Sequence, residues 1–109
     1  MSSYVFIESR DPFESRDVRF VAENAAGLKQ QGNEVVVFLV QNGVLAARAK
    51  ARGSCLAELA EAGVTLLADD FSLHERGIND GELLAAVHQA SIDTLVELLA
   101  RENTKAMWH

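Results

Sequence analysis

Two adjacent carboxylates, Asp69 and Asp70, end an apolar run, and His74, Glu75 and Arg76 follow close behind them. Side chains of these types, brought together, supply acid–base groups beside a cation that could hold an anionic substrate. The preceding run, Gly63-Val64-Thr65-Leu66-Leu67-Ala68, reads as a short buried strand that gives way to a polar turn and a short helix ending at Gly77. In open α/β folds, sites form at the carboxyl edge of the sheet, where strands end and helices begin. Asp69, Asp70, His74 and Arg76 are therefore the candidate ligand or pocket residues. The plainer reading is that Asp69 or Asp70 caps the short helix, accepting its backbone N–H groups and complementing its dipole. Arg76 then serves to neutralise Asp69, Asp70 or Glu75.

Cys55 is the candidate nucleophile. It follows Gly53-Ser54 at the start of a predicted helix over residues 55–62. A helix N-terminus lowers a thiol pKa, and Lys50 and Arg52 add to that if they lie near. The competing reading is a small buried hydrophobe, packed with Leu56, Leu59 and Ala60. Trp108 and His109 close the sequence. The aromatic suits a core edge or subunit contact. The histidine could act as an acid or base, though nothing demands it.

Other chemistries find little support. His74, His88 and His109 show no paired ligand spacing, and Asp69, Asp70 and His74 alone are thin support for a hard-cation site, so no metal is expected. Neither G-x-G-x-x-G nor G-x-x-x-x-G-K-[ST] occurs, and the loop after the first strand has no glycine, which argues against a dinucleotide enzyme. The formal net charge of −6 argues against a nucleic-acid binder or a basic membrane-surface protein. One basic cluster, Arg48, Lys50 and Arg52, reads as a solvated helix face or a small anion site. A single cysteine excludes an internal disulfide and suits a reducing cytosol. With no signal-like or membrane-length apolar segment, the expectation is a soluble cytoplasmic protein.

The elements that must position these residues alternate. At 109 residues and 49% hydrophobic composition, the chain is sized for one domain, residues 1–109, with one core and a use for oligomerisation. Strands are predicted at residues 4–7, 35–40, 64–68, 87–90 and 104–108. Helices are predicted at residues 16–31 with Ser15 as N-cap, at 44–50, at 55–62, at 82–86, and from Ser91 or Asp93 through Arg101. The last helix points Ile92, Leu95, Val96, Leu98 and Leu99 inward. Residues 35–40 are continuously apolar, as in a central parallel strand covered on both sides. The alternation implies an α/β fold with a mostly parallel sheet and helices on both faces.

Several segments resemble the DsrE/DsrF-like (YchN-like) sulfur-relay family. Phe38-Leu39-Val40-Gln41-Asn42-Gly43-Val44 is similar to the family's second strand and its Gly-Val ending. Gly63-Val64 opens the third strand in the family manner, and Ser72-Leu73-x-Glu75-Arg76-Gly77 looks like the segment after the family's reactive cysteine. Residues 90–96 resemble its last helix, and Lys105-Ala106-Met107-Trp108 its closing strand. The resemblance implies a three-layer α/β/α fold with a five-stranded, mainly parallel sheet. It also implies cytoplasmic dimers, trimers or hexamers that pass persulfide sulfur between partner proteins, with no metal or organic cofactor. Counting three residues back from Ser72 places Asp69 at the cysteine position. A carboxylate cannot carry a persulfide, so three readings stay open. One is a non-catalytic binding or scaffold subunit. Another is a persulfide carrier whose thiol has moved to Cys55; an ordinary crossover helix begins at the carboxyl edge, which would put Cys55 on the active side. The third is an unrelated small enzyme or ligand-binding protein using Asp69, Asp70, His74 and Arg76.

Overall fold

The computed structural model describes residues 2–11, 17–51 and 55–109. Ser15, Arg52 and Gly53-Ser54, on which parts of the sequence reading rest, lie outside them. Strand β1 (Ser3–Glu8) leads to helix α1 (Asp17–Gln30) and strand β2 (Glu34–Leu39). A 3-10 turn (Gln41–Ala47) follows, then α2 (Leu56–Glu61), β3 (Thr65–Asp69) and α3 (Asp70–Glu75). A short 3-10 turn (Asp80–Glu82), β4 (Val87–Ala90), α4 (Ile92–Ala100) and β5 (Thr104–Trp108) complete the order. The five strands form one sheet in the order β4-β3-β2-β1-β5. Every pairing in it is parallel.

Strand order dictates which face each helix covers. From β1 through β2 and β3 to β4 the chain steps in one direction across the sheet, so right-handed crossovers put α1, α2 and α3 on the same side. The return from β4 to β5 runs back across the whole sheet, and the same handedness puts α4 alone on the other side. The core divides accordingly. Phe6, Val35, Val37, Leu39, Leu66 and Ala68 pack with Ala25, Val44, Leu56, Leu59 and Leu73 on the first side. Val5, Ile7, Phe38 and Val40 pack under Leu95 and Leu98 on the second. Val35, Val37, Phe38 and Leu39 are all buried, the two-sided burial that the continuous apolar run of β2 predicts.

Three expectations change. The predicted helix over 44–50 is instead the Gln41–Ala47 3-10 turn, and Arg48 forms an antiparallel bridge to Leu83. Gly43 explains the tight path, because a Cβ there would sit 2.1 Å from the backbone oxygen of Glu8. Residues 83–86 form no helix; only Asp80–Glu82 winds, as a single 3-10 turn with Asn79 and Glu82 in a capping box. In α4, Leu95 and Leu98 are buried, whereas Ile92 (53% exposed), Val96 (59%) and Leu99 (38%) face outward. A nine-residue helix can turn only one narrow stripe toward the sheet, and among the described residues no neighbouring helix on that side receives the other.

Candidate functional site

Asp69 ends β3 and is buried at the carboxyl edge of the sheet. It is the N-cap of α3, and its Oδ2 accepts the Ser72 N–H at 3.0 Å and the Ser72 hydroxyl at 2.6 Å. The same hydroxyl accepts the Gln41 N–H at 2.9 Å, which ties the turn after β2 to the first turn of α3. Gln41 adopts a left-handed backbone (φ 51°) to make this approach. Capping by Asp69 is thus the local role that its residue type and position predict.

Arg76 does not pair with Asp69, Asp70 or Glu75. Its Nε and Nη2 donate to Asn42 Oδ1 at 3.2 and 3.0 Å, and its Nη1 donates to the Ser72 carbonyl at 3.2 Å. Gln41, Asn42, Asp69, Ser72, Glu75 and Arg76 together form the polar side of an open cleft of about 500 Å³. Phe71, Ile92, Leu95 and Trp108 form its apolar side. Of the four residues expected together, Asp69 and Arg76 meet here. Asp70 and His74 are exposed in the first and last turns of α3, outside the cleft lining.

Cys55 belongs to a different place. It is the N-cap of α2 in a left-handed conformation (φ 67°) and lines a smaller cleft with Arg19, Glu23 and Glu58, where α1 and α2 meet. Arg19 Nη1 donates to Cys55 Sγ at 3.7 Å. Burial pushes the thiol pKa up, and the Glu58 charge raises it further against the opposing pull of Arg19.

A third arrangement escaped the sequence reading. Glu8, at the carboxyl end of β1, is 3% exposed. Both of its carboxylate oxygens lie 2.8 Å from His109 Nδ1. The His109 backbone is held on both sides: its N–H donates to the Ile7 carbonyl at 2.8 Å, and its carbonyl accepts Ser9 N–H at 2.8 Å and Ser9 Oγ at 2.9 Å. Burial raises the Glu8 pKa, opposed by the hydrogen bond and charge of His109 and then by Arg10. Among the described residues, the buried His109 Nε2 has no hydrogen-bond partner. The one available signal was a glutamate ending a central apolar strand, where the pleat carries it out of water.

Among the described residues, no three His, Cys, Asp or Glu side chains converge as metal ligands. Among them too, no helix is long and apolar enough to cross a membrane.

Comparison with known proteins places this geometry. The structure of the ychN protein from E. coli superposes with a TM-score of 0.86 at 18% identity, covering 100% of both chains. MTH1491, a protein of unknown function from Methanobacterium thermoautotrophicum, superposes with a TM-score of 0.84 at 22% identity, again over 100% of both chains. At these identities the likeness establishes the fold. No curated protein matches the sequence. The family model of the DsrE/DsrF-like family matches residues 2–104, nearly the whole described chain, and the protein belongs to that family.

Proposed function

We propose that the protein is a sulfur-relay protein of the DsrE/DsrF-like kind that binds or scaffolds rather than carries sulfur itself. One observation carries the reading. Asp69 stands where the resemblance puts the family's cysteine, and its carboxylate is engaged in capping α3 through Ser72. A carboxylate held this way offers a hydrogen-bonding wall to the cleft and no sulfur nucleophile. Arg76, oriented by Asn42, adds a cation to the same wall. In this reading the chain works as one domain in the cytoplasm, as a homo-oligomer and with sulfur-relay partner proteins, without metal, organic cofactor or nucleic acid. The third reading, a small enzyme or ligand-binding protein on Asp69, Asp70, His74 and Arg76, finds less support, because Asp70 and His74 lie outside the cleft lining.

A second reading keeps Cys55 as a relocated carrier thiol, and the Arg19 contact to its sulfur favours it. The Cys55 thiolate would attack the outer sulfur of a donor persulfide. The donor S–S bond breaks, the outer sulfur leaves as part of a Cys55 persulfide, and the donor keeps the electron pair as its thiolate.

Intact-mass spectrometry after incubation with a persulfide donor separates the two. No one-sulfur gain, under conditions that load an authentic carrier, is the expected result. A gain that vanishes in Cys55→Ser would overturn it in favour of the carrier. Asp69→Cys is expected to acquire the gain that the natural chain lacks, because it returns a thiol to the cleft.

A further inference from the structure

We propose that the Asp69 cleft takes a free α-amino acid with an apolar side chain, its carboxylate on Arg76 and its ammonium on Asp69. The proposal rests on the binding reading above and names the ligand class of that site.

Two opposite charges line the cleft with hydrogen-bonding capacity left over. Asp69 is 7% exposed, and its Oδ2 is occupied by the Ser72 N–H and hydroxyl. Among the described residues its Oδ1 has no hydrogen-bond partner and is not closed off from solvent, so it offers an acceptor to the cleft. Water screens a charge so deeply set only weakly, which strengthens its pull on a cation. Arg76 Nε and Nη2 converge on Asn42 Oδ1, and Nη1 donates to the Ser72 carbonyl. That leaves one N–H on each terminal nitrogen, the two donors that a carboxylate takes. Among the described residues Arg76 is in no ion pair.

Their spacing selects the head group. Both charges are anchored to one residue: Ser72 gives its N–H and hydroxyl to Asp69, and its carbonyl accepts Arg76. They are neighbours, yet they stand too far apart to pair with each other. A cation and an anion held side by side with a gap between them match a molecule whose ammonium and carboxylate share one carbon.

The surrounding charge argues for the same class. Glu75 also lines the cleft and is exposed, so the polar wall sets two carboxylates against one guanidinium. Asp70 and Asp93, exposed in the first turns of α3 and α4, add to the negative surroundings. A simple anion would meet net repulsion here, whereas a zwitterion brings its own cation. Phe71, Ile92, Leu95 and Trp108 on the facing side suit an apolar side chain. The cleft of about 500 Å³ falls within the ~300–1,000 Å³ of small-molecule sites.

Trp108 is the only tryptophan and lines the cleft, so its emission reports occupancy, with calorimetry as a second readout. Titration of the full chain with L-phenylalanine is expected to saturate. The analogues 3-phenylpropionate, which lacks the ammonium, and phenethylamine, which lacks the carboxylate, should each bind about 10- to 100-fold more weakly. Asp69→Asn keeps the α3 cap without the charge and should erase the preference for phenylalanine over 3-phenylpropionate. Arg76→Gln should erase the preference over phenethylamine. A damaged fold would weaken all three ligands alike, so the readout is their order, and an order unchanged in both variants overturns the proposal. A titration that saturates with neither L-phenylalanine nor L-leucine up to about 10 mM also overturns it. So does 3-phenylpropionate binding as tightly as phenylalanine, which marks a plain anion site. None of these results bears on sulfur carriage, which the one-sulfur mass gain decides separately.

Discussion

The two sides of the sheet hold similar apolar residues but are roofed differently. Over one side lie α1, α2, α3 and the Gln41–Ala47 turn; over the other, among the described residues, lies α4 alone. A sheet of five strands is about 20 Å across, and a nine-residue helix is about 13 Å long and presents one narrow stripe. Beneath that helix the centre is nevertheless as well buried as under the larger roof, with Phe38 at 0% and Phe6 at 2% exposure. The shortfall falls at the periphery, on Ile92, Val96, Leu99 and Trp108. Burial here is decided by strand order as much as by the apolar pattern of any one helix. The Asp69 cleft lies at the carboxyl edge between the two sides, lined by α3 and the Gln41–Ala47 turn from one and by Ile92 and Leu95 of α4 from the other.

That contrast can be broken in graded steps. The largest effect is expected at the two central aromatics: Phe38→Ala and Phe6→Ala should each lose about 3–5 kcal/mol in denaturant unfolding, since both leave cavities in closed cores. A much smaller loss for Phe38→Ala would mean that the α4 side is loosely packed. Next comes the pair of neighbours in α4. Leu98→Ala should lose about 2–5 kcal/mol, whereas Leu99→Ala should change monomer stability by less than about 0.5 kcal/mol. Equal losses would show that both stripes are buried within one chain. Asp69→Ala removes the α3 cap and should lose about 1 kcal/mol, with Asp69→Asn close to neutral because asparagine caps as well.

The smallest effect is in the pH dependence. Glu8 has a raised pKa, so between the ordinary carboxylate range and that raised value the folded chain keeps a proton that the unfolded chain has released. The stability linked to this group is fully present below the ordinary range and is lost as pH rises through the raised pKa. Glu8→Gln should flatten that part of the profile in unfolding measured across pH. An unchanged slope would place the titration on another group.

Much of this was readable from local chemistry. The uninterrupted run in β2, the closing of α1 at Gly32-Asn33 and the cap at Asp69 all depend on residues near one another in sequence, and each is found where its pattern predicts. What was not readable depends on residues far apart. The outward stripe of α4 can be told from its inward one only when it is known that no second helix shares its side. The Glu8–His109 pair joins residues 101 apart. The 3-10 path after β2 follows from the approach of Gly43 to the Glu8 carbonyl, a meeting between two strand ends that no local propensity encodes.

The position of β1 has a consequence for how the molecule is made. It lies between β2 and β5, and its register with β5 joins Ser3 to Thr104. On the ribosome, β2, β3 and β4 can be added to one flank of β1 as they emerge. The other flank must wait for β5, a delay of about 5–20 s at ~5–20 residues per second. Throughout that interval a central, apolar strand has an unpaired edge, a template for any extended chain nearby. Pairing so distant in sequence and wholly parallel is also slow to form once synthesis ends. The last strand to appear therefore seals the first, and a nascent chain stalled before Thr104 should be far more prone to aggregate than one stalled after Trp108.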